Sequence, residues 1–158
     1  MSTFPTKILL GTDGSEEAAL AVRTAIDLAD KTGSELHVVY VEPMPPIIDP
    51  QADERVTQAI TEKKMKRAKR FLDAQMEEIQ AAGGSVARAY VRKGGAAEEI
   101  VSLAEEIGAG LIVVGSRGWG RLRRALMGSV SESVVWYAHC PVLVVREERR
   151  DESKLASG

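Results

Sequence analysis

Glycine and serine residues recur at fixed spacing after one apolar run in the second half of the chain. Gly115 and Gly118 lie three residues apart directly after the run Leu-Ile-Val-Val, and nine residues separate Gly118 from Gly128, which leads into Ser129. Glycines let backbone N–H groups approach an anion without an intervening Cβ, and the start of a helix adds unpaired N–H donors at the positive end of its dipole. The pattern predicts a site for an anion the size of a di- or triphosphate.

Three side chains in the same segment could donate hydrogen bonds to such an anion. Ser129 and Ser131 supply hydroxyl groups, and Arg117 supplies a guanidinium group that we assign to the phosphate. The other arginines of this cluster are interpreted as a solvated surface: Arg121, Arg123 and Arg124.

Each of these features also has an ordinary structural explanation. Glycines after a parallel strand often only turn the chain, and a glycine–serine pair is a common helix cap. The segment is neither a Walker A loop, since it has no Gly-Lys-Ser/Thr, nor the Gly-x-Gly-x-x-Gly dinucleotide fingerprint. The spacing by itself therefore leaves phosphate binding and simple chain turning both open.

Alternating strand and helix patterns must position this segment. Short apolar runs predict strands at 7–10, 35–41, 85–91, 111–114 and 141–145. Helical spacing predicts a first helix capped by Ser15 and stopped by Gly33, then helices at 53–82 and 95–107 and a last one near 130–138. This order implies right-handed crossovers and a single α/β domain with a parallel sheet covered by helices on both faces.

The carboxyl ends of the strands are where such sheets bind ligands, at the point where strand order reverses. This rule selects three loops: the one after the first strand at Thr12 and Asp13, the one after Val41, and the one that begins at Gly115. Asp13 by itself could equally be an Asx-turn or cap residue.

The longest predicted helix and the end of the chain carry two further expectations. The helix at 53–82 is expected to bury an apolar stripe that includes Val56, Ile60 and Phe71. The segment 147–158 is charged and lacks periodicity, so we expect a disordered tail after a domain that covers residues 1–146.

Composition and charge exclude several classes of protein. The net charge is −2, with 21 basic against 23 acidic side chains, which gives no general reason to expect a nucleic acid or a membrane as partner. The chain has one cysteine, so a disulfide scaffold is excluded, and no apolar run approaches the roughly 20 residues of a membrane span. The N-terminus also has no run suited to a signal peptide, and we expect a cytoplasmic protein.

The remaining histidine, cysteine and tryptophan residues are interpreted as structural. His37 and His139 have no partner at the spacing of metal ligands, and nothing near Cys140 identifies a base that would activate its thiol. Trp119 and Trp136 are predicted to be core or interface anchors.

The spacing Gly115-x2-Gly118-x9-Gly128-Ser129 resembles the Gly-x2-Gly-x9-Gly-Ser/Thr signature of the ATP-binding branch of the universal stress protein family. The resemblance covers nearly the whole chain, from Lys7 to Val145. It implies a Rossmann-like fold: a five-stranded parallel sheet in the order 3-2-1-4-5 with helices on both sides.

The same resemblance implies an ATP site and assigns its residues. Asp13 would lie near the ribose and phosphates with Gly11 and Thr12 beside it, and the backbone of Val41 would meet the adenine. A carboxylate beside phosphates is repulsive without a metal, so Asp13 could act through nucleotide-bound Mg²⁺. The ribose side would be lined by Val114 and Gly115, and the phosphates by Arg117, Gly118, Gly128, Ser129, Val130 and Ser131.

The last strand predicts a homodimer. Its residues 142–145 are all apolar, yet the implied strand order places them at an edge, where an uncovered strand is an aggregation hazard. Pairing with the same strand of a second copy would cover it, and the family resemblance implies the same dimer.

These observations favour a nucleotide-dependent regulatory or stress-response protein with at most slow ATP hydrolysis. We find neither a convincing general base nor a second acidic metal ligand, both of which hydrolysis would use. Two alternatives stay open: an enzyme of related fold (a slow ATPase, an autokinase or a nucleotidyl transferase), and a dimerisation module that binds no nucleotide. AMP and cyclic AMP also stay open as ligands.

Overall fold

A computed structural model of the chain describes residues 3–13, 18–44, 51, 53–116 and 128–146. The predicted cap Ser15, the residues Arg117, Gly118 and Trp119, and the segment 147–158 lie outside the described residues. The elements in chain order are β1 (Lys7–Thr12), α1 (Ala18–Thr32), β2 (Glu35–Glu42), α2 (Glu54–Ala81), β3 (Val86–Lys93), α3 (Ala96–Ile107), β4 (Leu111–Gly115), α4 (Ser129–Tyr137) and β5 (Val142–Val145).

The five strands form one parallel sheet in the order β3-β2-β1-β4-β5, which confirms the predicted topology. β1 lies at its centre, with Leu10 aligned to Val38 on one side and to Val113 on the other. All five residues of β4 are buried. A central parallel strand is covered on both faces, which is why these strands read as continuous runs of Val, Ile and Leu.

Alternate residues of the central strands enter two separate cores. Ile8 and Leu10 pack with α1 and α2 on one face of the sheet, whereas Leu9 packs with α3 and α4 on the other. This division follows from the two-residue period of a β-strand. The helices on opposite faces of the sheet therefore pack into separate cores, with the sheet between them.

Helix α2 is longer than the sheet that it covers. Its 28 residues rise roughly 42 Å, whereas an eight-residue strand such as β2 spans roughly 26 Å. Ala68, Leu72 and Ile79 are its buried residues. The predicted apolar stripe is therefore wrong in the first turns, where Val56 is 56% and Ile60 is 52% exposed.

The exposed aromatic residues of α4 correct a second expectation. Trp136 is 81% exposed and Tyr137 is 64% exposed, so Trp136 is not a core residue of this chain. The other prediction for Trp136, that it anchors an interface, remains a prediction. Among the described residues, no helix combines the length and the apolar character needed to cross a membrane.

Candidate functional site

The carboxyl ends of β1, β2 and β4 meet at one end of the sheet and bring predicted site residues together. Thr12 aligns with Tyr40 in the β1–β2 register, so Asp13 and Val41 follow at the same level. β4 lies on the other side of β1 and ends at Gly115. The order reverses between β1 and β4, because the chain moves outward to β3 and then returns across β1. This is the position at which open α/β sheets bind ligands.

Helix α4 presents its N-terminus after β4. Gly128 is its N-cap, with φ −71° and ψ 161°, and makes no side-chain capping bond. The backbone ladder of the helix includes the bond from the Glu132 N–H to the Gly128 carbonyl, and the N–H groups ahead of Glu132 have no intrahelical acceptor. Ser129 in this first turn is exposed and Val130 is half-buried. The turn therefore offers N–H donors and one exposed hydroxyl group.

A small hydrogen-bond network fixes the start of α4 to the end of β4. The Ser116 carbonyl accepts from the Gly128 N–H and from the Ser131 hydroxyl, the latter at 3.3 Å, and the Ser116 N–H donates to the Val145 carbonyl at 2.8 Å. Ser131 is completely buried, and its hydroxyl also lies 2.9 Å from the Gly128 carbonyl. Its one proton is thus directed to backbone carbonyls, and Ser131 holds together the two ends of the segment 117–127.

Gly11 and Val114 are required at this edge by packing. A Cβ on Gly11 would lie 2.9 Å from Ile100 Cδ1 and 3.3 Å from Val114 Cγ1, so the glycine lets α3 approach the sheet. The Val114 side chain is fully buried and Val41 is 3% exposed. Both residues therefore belong to the packed core at this end of the sheet.

Helix α2 packs against the other side of this site, through residues that the sequence did not identify as site residues. The Thr12 hydroxyl donates to Gln75 Oε1 at 3.4 Å. The Tyr40 ring packs against Phe71 with centroids 5.0 Å apart, and its hydroxyl donates to the Glu42 carboxylate at 3.1 Å. The available signal was the pair Tyr40 and Glu42, two residues apart and hence on one face of a strand that ends at the site.

Two carboxylates act on Tyr40 at this end of the sheet. Burial raises the pKa of the Tyr40 hydroxyl above its ordinary value, and the carboxylates of Glu42 and Asp13 raise it further. Arg67 of α2 acts in the opposite direction. Two carboxylates at neighbouring strand ends therefore disfavour any additional negative charge that arrives without a cation.

No metal site is complete within the described part of the chain. Among those residues, no group of three or more His, Cys, Asp or Glu side chains is arranged to hold a metal ion. His37 is buried and its Nδ1 lies 3.0 Å from the Tyr90 hydroxyl, while the exposed His139 pairs with Glu105 at 3.1 Å. Burial raises the pKa of the half-buried Cys140 thiol, which keeps it in the unreactive protonated form.

Residues 5–146 match the model of the universal stress protein family. The chain belongs to the universal stress protein family. It is 32% identical to the universal stress protein MJ0531 of Methanocaldococcus jannaschii, over 92% of this chain and 84% of that protein.

Solved structures of universal stress proteins share the same architecture. UspA from Lactobacillus plantarum superposes with a TM-score of 0.77 at 25% identity, covering 89% of this chain and 97% of that one. A universal stress protein in complex with cAMP superposes with a TM-score of 0.66 at 26% identity, covering 91% and 98% of the two chains. A member of the family with this fold therefore binds an adenine nucleotide.

Proposed function

We propose that this universal stress protein binds ATP and acts as a nucleotide-dependent regulatory or stress-response protein. The observation that carries the proposal is the open first turn of α4, which lies at the point where strand order reverses. The glycine N-cap leaves room for an anion, and the helix dipole places roughly half a positive charge there. Ser129 adds an exposed hydroxyl donor, and the glycine signature supplies the segment that would cover the phosphates.

The proposed pocket would have a phosphate side and a base side. Ser129 and Val130 would meet the phosphates through their N–H groups and the Ser129 hydroxyl, and Gly115, Arg117, Gly118 and Gly128 would line the same side. Ser131 would act as a positioning residue, since its hydroxyl already bonds to backbone carbonyls. The base side would use the backbone of Val41, and the ribose would lie across Gly11, Thr12, Asp13 and Val114.

Magnesium would enter with the nucleotide. The carboxylates of Asp13 and Glu42 both act on Tyr40 at this edge, and a triphosphate would add further negative charge. Mg²⁺ prefers phosphate oxygens and one or two carboxylates in addition to water, and Asp13 fits that role. ATP should therefore bind more tightly with Mg²⁺ than with EDTA, and Asp13→Asn should reduce that difference.

We expect turnover to be slow at most. Hydrolysis of ATP requires a group that positions water in line with the γ-phosphate. The Glu42 carboxylate already accepts a hydrogen bond from Tyr40, so we do not assign it that role. Binding and release of the nucleotide would then provide the regulatory output, because the γ-phosphate can order a segment that its loss releases. An enzyme of related fold would instead show steady product formation with an added substrate.

Isothermal titration calorimetry with ATP, ADP, AMP and cyclic AMP tests the proposal. Gly128→Val places a branched side chain where the phosphates should approach, and we expect ATP affinity to fall at least about tenfold, which is about 1.4 kcal/mol. Gly95→Val is the matched control, because Gly95 is the N-cap of α3 with a similar extended backbone, φ −73° and ψ 125°. Equal ATP affinity in both variants would contradict the phosphate assignment, and tighter binding of cyclic AMP would change the ligand.

The proposed assembly is a homodimer through β5. Its residues Val142–Val145 are half-buried at the sheet edge, and the neighbouring helix exposes Val135, Trp136 and Tyr137. A second copy paired along β5 would cover this apolar surface. Sedimentation equilibrium at micromolar concentration should give twice the chain mass, and a monomer would contradict the proposal.

A further inference from the structure

Helix α2 carries a concentrated block of positive charge. Six of the eight residues from 63 to 70 are basic and none is acidic, although the whole chain has a net charge of −2. We call this block the basic stretch: Lys63, Lys64, Lys66, Arg67, Lys69 and Arg70. Blocks of this kind attract acidic partners through a local field that the net charge does not reveal.

The basic stretch is not neutralised within the described residues. The ion pairs formed there by basic side chains other than histidine are Lys31 with Asp27 and Arg92 with Glu106. None of the six side chains of the basic stretch forms an ion pair with that part of the chain. Within the described residues, no direct ion pair therefore offsets the charge of the basic stretch.

A groove lies between the basic stretch and the edge strand β3. It measures about 460 Å³, and its lining combines an apolar floor with charged side chains at the rim. The lining residues are Met65, Lys66, Lys69, Leu72, Asp73, Ala89 and Val91. Both Lys66 and Lys69 are exposed.

The strand beside the groove is open for pairing. β3 is an edge of the sheet and its one neighbour among the described strands is β2. Two of its basic side chains have partners within the chain, since Arg88 lies over the Tyr90 ring and Arg92 pairs with Glu106. On the α2 side, the strand presents the small apolar residues Ala89 and Val91. Edge strands of this form accept an extended peptide as an additional strand.

We propose that an extended acidic peptide segment of a partner protein docks along β3 in this groove. Backbone hydrogen bonds to β3 would hold the segment, and its acidic side chains on the α2 side would meet Lys66 and Lys69. Apolar side chains would cover Met65 and Leu72. The apolar floor and the open strand favour a polypeptide over a nucleic acid, which offers no strand to pair and is bound through aromatic platforms that this groove does not contain.

Fluorescence anisotropy with a labelled ten-residue peptide that alternates glutamate with valine tests this inference. We expect the wild-type protein to bind it and to ignore a peptide in which lysine replaces each glutamate. The double substitution K66E/K69E at the rim should weaken binding at least about tenfold. K63E/R70E makes the same charge change on the basic stretch outside the groove and should weaken binding less than about threefold.

Three outcomes would overturn the inference. Absence of peptide binding is the first, and equal losses in the two double variants are the second, since they would indicate diffuse attraction to charge. The third is tighter binding of a single-stranded DNA of similar length, with loss in both variants. Amide hydrogen exchange adds a readout that charge alone does not change: β3 amides should exchange more slowly with the peptide bound, and unchanged exchange would place the peptide elsewhere.

Discussion

Helices α3 and α4 begin in the same way at the same face of the sheet, but they treat their N-terminal charge differently. Each has a glycine N-cap with extended backbone and no side-chain capping bond. In α3 the first turn contains Glu98 and Glu99, and Glu98 Oε2 lies 3.2 Å from where a Cβ of Gly95 would be. In α4 the equivalent positions are Ser131 and Glu132, so the first turn of α4 has one carboxylate where that of α3 has two.

The difference is one additional carboxylate at the start of α3, and it supports the proposed anion site at α4 rather than at α3. Carboxylates near the first turn of α3 complement its dipole, so this helix has no need for an external anion. The first turn of α4 has the single carboxylate Glu132, and the buried Ser131 hydroxyl bonds to the Ser116 and Gly128 carbonyls rather than adding charge. A glycine at a helix N-cap is therefore informative only together with the next four residues.

The largest expected effect comes from adding a carboxylate at the first residue of α4. Ser129→Glu places a carboxylate in the first turn, where it competes with phosphate, and we expect about a 100-fold loss of ATP affinity, or about 2.7 kcal/mol. The same carboxylate should raise the free energy of unfolding by about 0.5 kcal/mol, because it complements the dipole. Calorimetry and urea denaturation measure the two effects. Ser102→Glu, at an exposed position of α3, is the control and should leave ATP affinity unchanged.

A smaller effect should follow from loosening the attachment of α4. Ser131→Ala removes the buried hydroxyl that bonds the Ser116 and Gly128 carbonyls, and we expect the free energy of unfolding to fall by about 1.5 kcal/mol. Urea denaturation with an unchanged slope measures this loss. The exposed Ser102→Ala should change stability by less than about 0.5 kcal/mol. Equal stability of the two variants would show that the network does not hold the turn.

The smallest effect should come from removing the internal charge of α3. Glu98→Gln keeps the shape of the side chain and removes its interaction with the dipole, so the free energy of unfolding should fall by about 0.5 kcal/mol at low salt. High salt should shrink this difference, and ATP affinity should not change. Glu77→Gln, at an exposed position one turn before the end of α2, is the comparison, because the dipole does not favour a carboxylate there and its removal should not lower stability. A loss of ATP affinity in Glu98→Gln would remove the distinction between the two helices.

The apolar runs that end in glycine or polar residues predicted the strands of a parallel sheet, whereas the order 3-2-1-4-5 followed from the resemblance to the universal stress protein family. The predicted burial of Val56 and Ile60 was wrong, because helical periodicity does not reveal that a helix extends beyond the strands on which it packs. The sequence also could not show that the Ser131 hydroxyl turns inward. A serine in the first turn of a helix gives the same sequence pattern whether its hydroxyl points into the core or toward a ligand. Gly11 is a similar case, where the space is taken by Ile100 of a distant helix.

The closed base formed by Ser116, Gly128 and Ser131 has a consequence for how the chain tolerates change. Ser116 and Gly128, the described residues that flank the eleven-residue segment 117–127, are hydrogen-bonded to each other. Lengthening such a segment adds chiefly ring-closure entropy, about 0.6 kcal/mol for each doubling. Foreign segments could therefore be inserted between these two residues at a modest thermodynamic cost, which would make this universal stress protein a scaffold for new binding loops.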